Sequence, residues 1–144
     1  MRIYMDNCCF NRPFDGQSQT RVRLETEAKL RIQERVVAGE IELAWSYILD
    51  FENAANPFEE RHTSIALWRQ RSAPDIDESP SLLENARTLV GLGLRSKDAL
   101  HVACAVEAGC DYFITTDDIL LKKLAKYDQI MAVDPTAFVR STEP

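Results

Sequence analysis

Four acids fall at matching places along the chain. Asp6 closes the apolar run Ile3-Tyr4-Met5, and Glu52 lies seven residues after Trp45. Asp98 opens an alanine-rich stretch, and Asp117 follows Tyr112-Phe113-Ile114-Thr115. If those runs are strands of an open parallel sheet, the acids share the end where side chains from several strands converge. Carboxylates gathered there without cations repel one another and take up protons, so such a set points to a divalent ion. Hard oxygen donors favour Mg²⁺ or Mn²⁺, and no His/Cys spacing resembles a zinc site. An ion so held polarises a phosphodiester oxygen and activates water, and a second ion holds the leaving oxygen. The chemistry that fits is phosphodiester hydrolysis. Taken singly, each acid also has an ordinary explanation: a turn cap at Asp6, a solvated helix face at Glu52, dipole compensation at Asp98, an N-cap at Asp117. Their joint placement is what points to a site.

The elements that must position them follow from the spacing of apolar residues. Arg2 to Met5 predicts a strand, and Asn7 to Gly16, with Pro13 and Asp15-Gly16, an irregular stretch. Leu24, Ala28, Ile32 and Val36 recur every four positions, predicting an amphipathic helix from about Ser18 to Ala38 that stops at Gly39. A second strand is expected at Ile41–Trp45, then helices from Ser46 to about Ala55 and from about Phe58 to Arg71. Ser72 to Pro80 reads as a loop with room for a short extended piece. Ser81-Leu82-Leu83-Glu84 matches a capping box for a helix ending near Gly91 or Gly93. Ser96 to Ala108 is a small-residue helix suited to close packing on a sheet. A strand at Asp111–Thr115, a helix at Asp117–Lys126 and a strand at Ile130–Val133 complete the order. Strands separated by helices imply a three-layer α/β/α sandwich on a mainly parallel sheet, in one domain of residues 1–144.

Composition narrows the function classes. The chain of 144 residues is 45% hydrophobic and 28% charged, ordinary for one globular core. Its net charge of −6 excludes a simple basic nucleic-acid binder. From Asn11 to Arg35, however, Arg12, Arg21, Arg23, Lys29, Arg31 and Arg35 outnumber the acids by two, leaving −8 on the rest. That stretch is a candidate basic edge for phosphate. No apolar run approaches a membrane span and the start resembles no export signal, so a cytoplasmic protein is expected. Cys8, Cys9, Cys104 and Cys110 lack a CxxC pair, which suits free thiols in a reducing compartment.

The segments Ile3-Tyr4-Met5-Asp6-Asn7, Ser46 through Glu52, Lys97-Asp98-Ala99-Leu100-His101-Val102-Ala103 and Phe113-Ile114-Thr115-Thr116-Asp117 resemble the ordered acidic motifs of PIN-domain proteins. In prokaryotes these are often ribonuclease toxins of the VapBC type. The resemblance runs from Arg2 to about Val139 and implies a PIN-like α/β/α fold. It also implies Mg²⁺- or Mn²⁺-dependent cleavage of single-stranded RNA, one or two ions, frequent homodimers and, for toxin members, a small antitoxin that covers the site. On that resemblance Asp6, Glu52, Asp98 and Asp117 form the metal-binding and catalytic set. Thr115 lines the site, and Asp118 is a possible additional ligand. The chain departs from the usual pattern at Cys8-Cys9-Phe10-Asn11-Arg12-Pro13-Phe14, where a short apolar segment normally leads to a helix.

Asn7 and Arg12, nearest Asp6, are candidates for substrate contact; for Arg12 an ion pair with Asp15 is an equal alternative. His101, one turn after Asp98, reads as a neutral histidine at the edge of the core. Trp45, Trp68, Phe58 and Phe113 read as core or interface residues. Two competing functions stay open: a catalytically inactive PIN-like module that binds RNA or protein, and a phosphohydrolase working through an aspartyl-phosphate on Asp6. Cys at position 8, where an Asp-x-Asp pair would need its second acid, weighs against the latter.

Overall fold

Short runs of aromatic and branched residues pair into a four-stranded sheet in the computed structural model, which describes residues 1–143. The strands β1 (Arg2–Met5), β2 (Glu42–Leu43), β5 (Tyr112–Ile114) and β6 (Met131–Val133) lie in the order β2-β1-β5-β6, every pairing parallel. Two further strands, β3 (Trp45–Ser46) and β4 (Asp75–Ile76), form a separate parallel pair. The helices are α1 (Asn7–Asn11), α2 (Thr20–Val37), α3 (Tyr47–Ala54), α4 (Glu59–Trp68), α5 (Pro80–Gly91), α6 (Ser96–Glu107), α7 (Asp118–Leu124) and α8 (Pro135–Thr142). Helix α5 packs on α6 and α2 on α8, and α6 also lies against β5. The result is the expected three-layer α/β/α arrangement. Parallel strands covered on both faces are apolar throughout, as Ile3, Tyr4, Met5, Phe113 and Ile114 are, all fully buried. Tyr4 stacks on Phe113 at 5.6 Å between ring centroids.

The chain leaves β1 for β2 on one side and later inserts β5 on the other. The β1/β5 junction is therefore the topological switch point, where an open α/β sheet leaves a crevice at its carboxyl end. Gly39 and Gly109 end α2 and α6 at positive φ, 78° and 70°. In both, the next residue's N–H bonds a carbonyl five positions back, Glu40 to Arg35 and Cys110 to Ala105, which satisfies helix-end acceptors.

Several boundaries differ from the sequence expectation. Asn7 to Gly16 is not simply irregular: it holds α1 and a 3₁₀ turn at Arg12–Phe14, because Asp6 caps the first amide and Cys9 and Phe10 are buried. The capping box at Ser81 is not formed. Ser79 is the N-cap, accepting from the Leu82 N–H, and Pro80 takes the first helical position, where its missing N–H costs nothing. Ile41–Trp45 is divided at Ala44, whose N–H still bonds Ile3, whereas the Trp45 N–H turns to Pro74. Helix α8 follows the last expected strand, with Asp134 capping Ala137 and Pro135 leading.

The expected basic edge is largely occupied. Arg12 bonds Asp15 and Glu25, Arg21 bonds Asp118, Arg31 bonds Glu34 and Glu143, and Arg35 bonds Glu40. Lys29 is 4% exposed and forms no ion pair among the described residues; its Nζ lies 5.8 Å from the Phe10 ring centroid. Burial lowers this ammonium from 10.5 to about 8. Between those values the unfolded chain binds more protons, so this residue's contribution to stability rises with pH there and its penalty is complete below about 8. Lys29→Met is expected to stabilise the fold at neutral pH by up to about 3 kcal/mol. Urea unfolding of both proteins at pH 7 and near pH 10 checks this: the advantage should shrink at the higher pH.

Candidate active site

Asp6 and Thr115 come from adjacent strands and meet at the switch point. The Asp6 N–H bonds the Ile114 carbonyl at 2.9 Å, and the Thr115 N–H bonds Val133 at 3.1 Å, which fixes both backbones. Asp6 is 8% exposed. Its Oδ2 accepts from Thr115 Oγ1 at 2.9 Å and from the Cys8 thiol at 3.5 Å; its Oδ1 accepts from the Asn7 N–H at 2.8 Å. Thr115 Oγ1 in turn accepts from the Asp117 N–H at 3.1 Å. One hydroxyl thereby ties the acid after β1 to the loop after β5.

Three helices begin at these acids. Asp6 is the N-cap of α1, Asp117 is the N-cap of α7, and Asp98 sits in the first turn of α6. Asp117 Oδ1 accepts from Ile119 and Leu120 at 3.0 and 3.2 Å. Helix N-termini carry partial positive charge, which holds carboxylates that would otherwise separate. The ordinary capping explanation is thus true of Asp6 and Asp117.

Glu52 reaches the cleft from α3, which Ser46 caps by accepting from Leu49 at 3.2 Å. Its Oε1 lies 2.6 Å from Nε2 of His101, and the same nitrogen stands 3.8 Å from Asp6 Oδ1. His101 is 1% exposed, and its Nδ1 lies 2.6 Å from the Tyr4 hydroxyl, which is also 2.6 Å from Ser46 Oγ. Burial, then the charge on neighbouring groups, holds the Tyr4 phenol well above 10, so it keeps its proton. Ser46 Oγ already accepts from Leu49. Glu52 can only accept here, so His101 Nε2 carries the proton of their contact, and Ser46, Tyr4 and His101 Nδ1 continue the buried chain behind it.

The charges feel one another. Burial works to raise the Glu52 carboxyl, but the hydrogen bond and charge of His101, with Lys97 and the Asn7 side chain, outweigh it and leave it below its ordinary value. The Asp98 carboxyl is raised, first by burial and then by Asp6 and Asp117, against weaker pulls from His101 and Arg95. Among the described residues no lysine or arginine forms an ion pair with Asp6, Asp98 or Asp117. Asn7 Oδ1 is buried without a hydrogen-bond partner. An all-oxygen donor set, mutual repulsion and an orphaned carbonyl oxygen fit a hard divalent cation in kind. Among the described residues no three His, Cys, Asp or Glu side chains stand close enough to enclose one ion.

Other expected site residues sit elsewhere. Asp118 is exposed and paired with Arg21 at 2.6 Å, outside the cluster. Arg12 is turned to Asp15 and Glu25 at 3.1 and 3.2 Å, the alternative weighed for it. His101 is buried and bonds Glu52 at 2.6 Å, with Asp6 Oδ1 3.8 Å from the same nitrogen. Its spacing of three from Asp98 on one helix face was the available signal.

No family model and no curated protein matches the sequence. Solved structures do share its fold. A chain of VapBC2 from Rickettsia felis, determined bound to a DNA fragment from their promoter, superposes with a TM-score of 0.61 at 14% identity, over 93% of this chain and 98% of that one. A chain of VapBC-1 from nontypeable Haemophilus influenzae gives 0.61 at 15% identity, over 94% and 99%. The likeness extends over nearly the full length of both chains, and the PIN-like fold expected from the acidic motifs is the fold observed.

Proposed function

We propose that this chain is a divalent-metal-dependent endoribonuclease acting on single-stranded RNA, its one domain holding one or two Mg²⁺ or Mn²⁺ ions on Asp6, Glu52, Asp98 and Asp117. The observation that carries the reading is the set of carboxylates at the β1/β5 switch point with which no lysine or arginine among the described residues forms an ion pair, Asp98 being raised by burial and then by Asp6 and Asp117. When bound, the ion supplies positive charge and Lewis acidity at the scissile phosphate. The chain's own residues orient the site: Thr115 fixes one oxygen of Asp6 and the backbone of Asp117, and His101 aims Glu52. Asn7 offers its free side-chain oxygen at the same place. Because Arg12 is occupied by two acids, substrate contact is assigned to Asn7 and Thr115.

The compared structures are VapBC assemblies, one of them on promoter DNA, which supports a small antitoxin as partner and a toxin role. A homodimer in the cytoplasm belongs to the same reading. No helix among the described residues is long and apolar enough to cross a membrane.

The test is incubation of the purified protein with mixed single-stranded RNA in Mg²⁺, Mn²⁺ or EDTA. Cleavage is expected only with metal, leaving 5′-phosphate and 3′-hydroxyl ends from in-line attack by water. Absence of metal binding favours the inactive binding module, metal binding without cleavage of these RNAs points to a toxin of narrower specificity, and phosphate trapped covalently on Asp6 favours the phosphohydrolase.

A further inference from the structure

Phe51 precedes Glu52 on α3, and Lys97 precedes Asp98 on α6, so each lies beside one acid of the cleft. The two meet: the Lys97 ammonium lies 5.8 Å from the centroid of the Phe51 ring. Phe51 is 61% exposed, whereas Ile48 and Leu49 of the same helix are buried. A single exposed aromatic is common on protein surfaces. This one differs in position, since it stands with a lysine at the mouth of a carboxylate cleft.

Lys97 is exposed and forms no ion pair among the described residues, although the chain carries 23 acids. Seven arginines, at 2, 12, 21, 31, 35, 61 and 69, are bound to carboxylates. The charge of Lys97 is felt at Glu52, and that of Arg95 at Asp98. Lys97 and Arg95 therefore leave positive charge beside Glu52 and Asp98, where a strand approaching those acids would pass. A protein of net charge −6 draws little general attraction for a polyanion, so affinity must come from local contacts. Base stacking on an aromatic face is such a contact, and it needs an unpaired base.

We propose that Phe51 and Lys97 form a nucleotide subsite at the cleft mouth, Phe51 stacking on an unpaired base of single-stranded RNA and Lys97 holding an adjacent phosphate. The inference rests on the nuclease reading for its choice of ligand. It adds the residues that select single strands over duplex, because a paired base cannot lie flat on Phe51.

The experiment measures binding of a short single-stranded RNA containing 2-aminopurine, with Ca²⁺ replacing Mg²⁺, to the wild type, Phe51→Ala, Phe51→Trp, Lys97→Ala and Met131→Ala. Met131 is equally exposed but lies at the other end of the sheet. Phe51→Ala is expected to weaken binding about tenfold and abolish stacking-dependent quenching, with Phe51→Trp retaining both. Lys97→Ala should weaken binding and reduce the salt slope by about 0.7, the value for one single-strand phosphate contact. Met131→Ala should bind as the wild type. Unchanged affinity and quenching in Phe51→Ala overturns the subsite and leaves Phe51 as a protein-contact residue; so does a wild type that binds no single-stranded RNA. A wild type that binds and quenches but does not cleave in Mg²⁺ or Mn²⁺ overturns the nuclease and keeps the subsite. Normal cleavage with an unchanged KM in Phe51→Ala does the reverse.

Discussion

Asp98→Asn is expected to reduce metal-dependent RNA cleavage on the order of 10²–10³-fold, the scale seen when one group that stabilises transition-state charge is removed. It is also expected to leave the metal-free fold at least as stable as the wild type. Both effects have one cause. Asp98 is a half-buried carboxylate held near Asp6 and Asp117 with no lysine or arginine paired to it among the described residues, so its charge is costly until a cation arrives. An amide of the same shape removes the repulsion and an anionic oxygen donor together. Thermal unfolding with and without metal separates this from a folding defect. In EDTA the variant should melt at or above the wild type. With Mn²⁺ the order should reverse, because only the wild type gains the full stabilisation of a ligand that binds the native state, about 2.7 kcal/mol at a hundred times its dissociation constant. A variant that melts well below the wild type in EDTA would show that Asp98 is a structural cap. One that cleaves normally would remove it from the chemistry.

The second large effect is at His101. His101→Leu keeps the volume near that of the imidazole but leaves the partly buried Glu52 without its donor and the buried Tyr4 hydroxyl without its imidazole partner. The expected cost is about 2–4 kcal/mol, below that of a fully buried ion pair because the Glu52 side chain retains 19% exposure. Cleavage should fall as well, since Glu52 loses the contact that aims it. The loss of stability should be partly recovered in the double variant His101→Leu, Glu52→Gln, which no longer buries a lone charge, and activity should not recover with it. Urea unfolding of the four proteins yields the coupling energy. Additive losses would mean that His101 and Glu52 act independently and that the 2.6 Å contact carries no energy.

The local signals reported local structure well. Fourfold spacing of Ala28, Ile32 and Val36 marked the buried face of α2, although Leu24 of the same series is exposed and Val22 is buried instead; Gly39 and Gly109 ended helices, and the apolar runs before Asp6 and Asp117 became β1 and β5. Helix spacing, left-handed glycine and short continuous apolar runs are properties of neighbours in the chain, and so can be read from the chain. The misplaced start of α5 was also local: Ser79-Pro80 competed with Ser81 through Glu84, and the proline decided. The division of Ile41–Trp45 was not local, because it depends on Pro74 and Asp75 accepting Trp45 into a second pair of strands.

The candidate site divides along the same line. Residue type and position after a strand named Asp6 and Asp117, because in a parallel sheet the strand end fixes where a side chain emerges, whereas Glu52 and Asp98 were named by their places on the helices α3 and α6. Which groups answer those charges depends on residues far apart in sequence. Arg12 and Arg21, which a local count marks as free cations, are taken by Glu25 and Asp118; Glu52 finds His101; Phe51 finds Lys97. The sequence by itself placed acids in the segments that border a parallel sheet. Only the tertiary structure decided which charges are paired within the protein and which meet no lysine or arginine among the described residues, because charges act through space and over a few ångströms, without regard to their distance along the chain.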